Sequence, residues 1–140
     1  MSEPTLDHTA PATPAVVDDD KVMPVVIYVL YLLGWVTVFV TPVIGFFMAY
    51  ALKGRANPTA RSHFVFQIRT GWISLIVGLG AALLMLLGLP LMIILVGFAL
   101  LQAAFAILGL LGIWVTIRAV VGLIYASRND PYPRPDAWII

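Results

Sequence analysis

Side chains able to do chemistry are scarce in this chain. Most gather at one point, Arg61-Ser62-His63-Phe64-Val65-Phe66-Gln67-Ile68-Arg69-Thr70-Gly71-Trp72. His63, Gln67, Thr70 and Ser74 recur at intervals of four, three and four, so on a helix they line one face that continues into an apolar stretch. His63 could titrate near neutral pH and serve as a base or a sensor. A base needs an oriented nucleophile or carboxylate, and none stands at useful spacing, so no residue is assigned a catalytic role and the chain does not read as an enzyme. His8 is the only other histidine and there is no Cys, which leaves too few ligands for a metal.

Arg69 and Arg118 raise a second question. A cation deep in hydrocarbon costs about 2.5 to 3.5 kcal/mol on insertion scales, and no Asp or Glu occurs between Asp20 and Asp130 to pair with it. Both arginines stand near the ends of apolar segments, so both are expected to snorkel to the interface. Lipid phosphates, Asp130, Asp136, a terminal carboxylate or another protein remain as partners. The candidate binding residues are therefore Arg55, Arg61, His63, Gln67, Arg69, Arg118, Arg128 and Arg134, a basic set suited to anionic lipid headgroups or to an acidic surface on a larger membrane complex. They are too few and too close to the apolar segments for nucleic acid. Gln102 is expected to hydrogen-bond across a helical bundle, worth about 0.6 to 2 kcal/mol.

The elements that must position these groups follow from composition. In 140 residues, 61% are hydrophobic and 11% charged, against roughly a quarter charged in soluble domains, so the fold class is an all-α integral membrane protein. Residues 1–20 carry Pro, Ser, Thr and Asp with few large apolar side chains and read as a disordered acidic tail. Residues 21–126 then hold three transmembrane helices in a tight bundle, with spans of about 22–52, 64–87 and 91–126. Pro42 is expected to bend the first of these, with Thr37 or Thr41 compensating for its missing N–H. Asn57-Pro58 reads as an N-cap followed by proline at the first helical position. Gly88-Leu89-Pro90 must be a hairpin turn, because the apolar run from Thr70 to Ile117 as one helix would be about 72 Å long.

Each span shows a stripe of small residues: Gly34, Thr37, Thr41, Gly45 and Ala49; then Gly71, Ser74, Gly78 and Ala81; then a row from Ala99 to Ala126. An aromatic stripe, Tyr28, Tyr31, Trp35, Phe39, Phe46 and Tyr50, could grip a planar lipid-soluble cofactor. Such stripes more often pack or anchor, and no cofactor is assigned. Residues 127–140, with three prolines, Tyr132 and Trp138, read as an interfacial strap. Basic residues near the span ends place the loop at 53–61 and the C-terminus in the cytoplasm and the acidic tail outside.

Gly45-Phe46-Phe47-Met48-Ala49-Tyr50, the basic loop, Ser62-His63-Phe64, Gln67-Ile68-Arg69-Thr70 and the closing Tyr132-Pro133 together resemble a bacterial membrane family of undefined function. That family is distantly similar to the membrane component of the chloroplast inner-envelope (Tic) import machinery. The resemblance covers about 22–140 and implies a multi-pass protein of the bacterial inner membrane; the plant relatives look like four-span proteins with protein-translocation roles, and the bacterial relatives bring no agreed activity to carry over. The reading that results is a small inner-membrane accessory, assembly or scaffold subunit acting through a basic and aromatic cytoplasmic face. It would self-associate or join a larger complex. The alternative is a transporter or channel component, translocon-like and oligomeric.

Overall fold

The computed structural model describes residues 21–138. The acidic tail at 1–20 and the last two isoleucines lie outside that range, and so does the expectation that the tail is disordered. The described residues are all-helical, with four helices where three are expected: α1 (Val22–Leu32), α2 (Val40–Leu52), α3 (Pro58–Gly88) and α4 (Val96–Ser127). α3 and α4 are long and apolar enough, by length and composition, to cross a membrane.

The main correction concerns the segment expected to be one helix from 22 to 52. It breaks after a short 3-10 turn at Leu33–Trp35, passes through left-handed backbone at Val38 and Phe39, and restarts at Val40. Left-handed backbone at two non-glycine residues costs on the order of 1–2 kcal/mol each, so packing must hold it. Gly34 supplies part of that packing, since a Cβ there would lie 2.6 Å from Pro42 Cγ. Pro42 is not a mid-helix bend but sits in the first turn of α2, where a missing N–H costs little. Thr37 does not compensate for Pro42 but ties the break to the first turn of α2. Its hydroxyl donates to the Leu33 carbonyl (3.0 Å), receives the Thr41 hydroxyl (2.7 Å) and accepts from the Thr41 N–H (3.3 Å).

The two short helices fold back on each other. Gly45 of α2 lies against Ile27 and Leu30 of α1, while Gly34 lies against Pro42, so α1 and α2 run antiparallel. α1 also runs antiparallel to α4: Gly122 receives the Tyr28 ring and Gly112 the Trp35 ring. The tip of this hairpin therefore stands beside Gly112, about 22 Å along α4 from Ser127 at 1.5 Å per residue and close to half its length.

α3 begins where Asn57 caps it, Asn57 Oδ1 accepting from the Ala60 N–H at 2.7 Å with Pro58 behind it. It runs 31 residues, about 46 Å. The turn after it is longer than a tight Gly-Leu-Pro hairpin. A 3-10 turn at Pro90–Ile94 and left-handed backbone at Leu95 delay the last helix to Val96, five residues after the expected 91. Gly97 allows this, because a Cβ there would strike the Gly88 carbonyl and the Met92 nitrogen. At its other end α4 closes with a Schellman motif: Asn129 is left-handed, its N–H reaches the Ala126 carbonyl, and the Asp130 N–H reaches that of Tyr125. The motif turns the chain back so that residues 130–138 lie along the first turns of α3.

Candidate functional site

The start of α1, the first four turns of α3, the second half of α4 and the strap meet at the loop end of the bundle. The polar face of α3 predicted from spacing is turned inward there: His63, Gln67 and Thr70 are all buried. His63 Nε2 lies 2.9 Å from the Asp130 carbonyl, which can only accept, so Nε2 carries the proton and Nδ1 accepts from the Tyr28 hydroxyl at 3.2 Å. One imidazole thus ties α1 to the strap. Gln67 Nε2 donates to the Pro24 carbonyl (2.9 Å), and the Tyr31 hydroxyl donates to the Gln67 carbonyl (3.0 Å), reached past Gly71, which has no side chain to block it. Buried Gln67 Oε1 and Ser74 Oγ have no partner among the described residues.

Arg118 departs most from the sequence reading. Rather than reaching an interface it is 0% exposed, the largest fully buried side chain among the described residues. Its Nε donates to Thr70 Oγ1 (2.9 Å), and both terminal nitrogens lie 3.3 Å from the Ala137 carbonyl of the strap. Its guanidinium carbon stands 3.8 Å from the centre of the Phe66 ring and 4.8 Å from that of Trp114. Tyr132 stacks on the same Phe66 ring at 3.8 Å. Two groups that close cannot share one face, so Phe66 is sandwiched between the strap and the arginine. Ser62 completes the seam by accepting the Tyr132 N–H at 2.9 Å.

Arg69 stays at the edge. It pairs with Asp136 at 3.5 Å, also donates to the Asp136 carbonyl, and lies 4.9 Å from the Trp138 ring. Of the partners open to Arg69 from the sequence, Asp136 is the one found. The remaining candidates, Arg55, Arg61, Arg128 and Arg134, are exposed at the same end, with no ion pair among the described residues. Site and scaffold thus divide. His63, Gln67 and Arg118 hold the fold together, and four arginines form an outer rim.

No protein-family model, curated protein or solved structure matches the chain. Its functional reading therefore rests on geometry.

His63 and Tyr132 stand outside the apolar stretches of α3 and α4. Burial pushes the His63 imidazolium down from its usual range, partly offset by the Asp130 carbonyl. Burial likewise pushes the Tyr132 phenol up, with Arg118 pulling it back and Tyr125 adding to the rise. Both shifts favour the neutral forms, which suit the hydrogen bonding of His63 and the ring stacking of Tyr132.

Spacing misses several members of this assembly. By periodicity alone Tyr28 and Tyr31 belong to one aromatic row running to Tyr50. The break at 33–39 divides that row, burying these two and leaving Trp35 and Tyr50 exposed. Trp138 meets Arg69 only through the docked strap. Gln102 has no hydrogen bond across the bundle among the described residues and is exposed on α4.

Proposed function

We propose that the chain is a small membrane-embedded subunit that docks an acidic partner, protein or lipid, through its arginine rim, as an accessory, assembly or scaffold component of a larger inner-membrane complex. The observation that carries the reading is the division of the basic residues. Arg118 is taken up by internal contacts and Arg69 is engaged by Asp136 through one nitrogen, while Arg55, Arg61, Arg128 and Arg134 face outward at the same end with no ion pair among the described residues. Embedding is supported by the outward faces of the long helices. Only 11% of the most apolar window of α3 and 22% of that of α4 is buried within the protein, where a core helix of a water-soluble fold would be mostly buried.

In this reading α3 and α4 are the crossings, and α1–α2 is a re-entrant hairpin whose tip stops inside a hydrocarbon layer of about 30 Å. Lys21, the loop at 53–57 and the strap then share one side, the cytoplasmic one by the positive-inside rule. This replaces three crossings by two and brings Lys21 to the cytoplasmic side. The alternative, a transporter or channel component, would need several copies to build a path, because Tyr28, Tyr31, Phe66, Gln67, Thr70 and Arg118 close on one another without room for a water molecule.

The test is co-purification from native membranes of wild type and the Arg61→Ala/Arg128→Ala double variant at matched expression. The proposal expects a stoichiometric partner that the double variant loses while its own folding is unchanged. Wild type running alone, together with selective solute flux in liposomes, would replace this reading by transport.

A further inference from the structure

One groove at the loop end takes no part in closing the bundle. It lies between the end of α2, the outer face of α3 and the tip of the strap, and encloses about 360 Å³. Its polar end is formed by Lys53 and Arg69, with Asp136 beside them. Trp72, Ile73 and Ile76 continue from Arg69 as a helical stripe that floors the groove toward the apolar part of α3. The aromatic side chains around it are open: Tyr50 is 53%, Trp72 46% and Trp138 68% exposed.

The charges are unbalanced. The Lys53 ammonium makes no hydrogen bond or ion pair among the described residues, and Arg69 meets Asp136 through Nη1 alone, which leaves the rest of its donor fork for another acceptor. Two cations against one carboxylate give the groove a net charge of +1. Below them runs a trough that water solvates poorly, and beside them stand aromatic rings of the type that settles at headgroup level. A soluble anion would satisfy the cations and leave the trough uncovered. A zwitterionic lipid would bring an ammonium against Lys53. A ligand with one anionic end and an apolar chain meets both halves at once.

Resting on the reading that the bundle is embedded in a membrane, we infer that this groove binds one anionic phospholipid, its phosphate held by Lys53 and Arg69 and one acyl chain laid along Trp72, Ile73 and Ile76. The volume is enough for a headgroup and the upper part of a chain. The strap sets one wall through the Arg69–Asp136 and Arg69–Trp138 contacts, so lipid occupancy and strap docking share Arg69.

The experiment is native mass spectrometry of the full chain released from a neutral detergent, with dioleoyl phosphatidylglycerol, dioleoyl phosphatidylcholine or glycerol phosphate added separately. The expected result is one phosphatidylglycerol retained per chain, bound at least about fivefold more tightly than phosphatidylcholine, and no retention of glycerol phosphate. Lys53→Gln should weaken phosphatidylglycerol about fivefold, the effect of one near-surface cation. Ile76→Trp, which fills the trough without touching a charge, should weaken it as well, and Lys21→Gln should not. Equal affinity for the two lipids, retention of glycerol phosphate, indifference to Ile76→Trp, or an equal loss from Lys21→Gln would each overturn the site. Carbonate extraction of native membranes separates the two readings. Release of the protein removes both embedding and groove, whereas retention with no preference for phosphatidylglycerol removes the groove alone.

Discussion

The loop end and the far end of this bundle are built from the same two long helices, yet only one of them is closed. At the loop end α3 and α4 are joined by α1, α2 and the strap, and Tyr28, His63, Phe66, Gln67 and Arg118 are almost wholly buried. Toward the far end the hairpin tip has stopped beside Gly112, and α3 and α4 continue as a bare pair. Ile93 is 92% and Leu95 82% exposed, and a Cβ on Gly78, Gly80 or Gly109 would meet nothing within 4 Å. The same kind of small-residue stripe therefore means different things at the two ends. Near the strap it receives aromatic rings, whereas farther along Ala81 and Ala104 are buried but Gly78 and Gly109 face open space.

Paired substitutions across the two ends test that contrast. The largest effect is expected for Arg118→Ala, which empties a fully buried site and takes the donors from Thr70 and the Ala137 carbonyl. By analogy with truncating a large core side chain it should cost about 3–5 kcal/mol in thermal or denaturant unfolding in detergent. Gln102→Ala on the open stretch of α4 should change stability by less than about 0.5 kcal/mol. Equal losses would mean that the far half is covered after all.

Next comes Gly122→Leu, whose side chain must enter the space of the Tyr28 ring, against Gly78→Leu, which points into the open. Overpacking should cost the first about 1–3 kcal/mol or more. The second should be neutral or slightly stabilising, since leucine is the better helix former. From the sequence alone Gly78 belongs to the packing face. The structure reverses that expectation, because the helix needed to cover Gly78 turns back before reaching it.

That reversal marks what the sequence could convey. The Asn57-Pro58 cap, the Gly88–Pro90 turn region and the inward face of His63, Gln67 and Thr70 depend on local chemistry and periodicity, and they are legible. The hairpin break is not. Val36, Val38 and Phe39 carry no turn signature, and Gly34 and Pro42, eight residues apart, are each compatible with a continuous membrane helix until they are seen to pack on each other. Arg118 is illegible for a different reason. Its acceptor at Ala137 and the Tyr132 ring behind Phe66 belong to a strap outside its own helix, so burial of a guanidinium without a carboxylate in its own span reads from sequence only as a cost.

A smaller effect should appear with pH. Burial lowers the His63 pKa below its unfolded value of about 6.5, so the unfolded chain binds the extra proton first. Stability from this group is complete above about pH 6.5 and falls as the pH drops from there toward the folded value. Thermal unfolding at pH 7.5 and pH 5.5, about one unit on either side of the unfolded pKa, should show the loss, and His63→Gln should abolish that difference. An unchanged difference in the variant would mean that another group is responsible.

The proposed topology turns on α1 and α2 forming a re-entrant hairpin, so that both of its ends lie beside the strap. The chain contains no Cys, so single cysteines at Lys21, Thr59 and Ser127 can each be labelled with a membrane-impermeant thiol reagent in intact cells and again after permeabilisation. With the hairpin in place, all three should be protected in intact cells and react together on permeabilisation. Labelling of the Lys21→Cys variant from outside while the Thr59→Cys and Ser127→Cys variants stay protected would mean that residues 22–52 cross the membrane, and would contradict the hairpin.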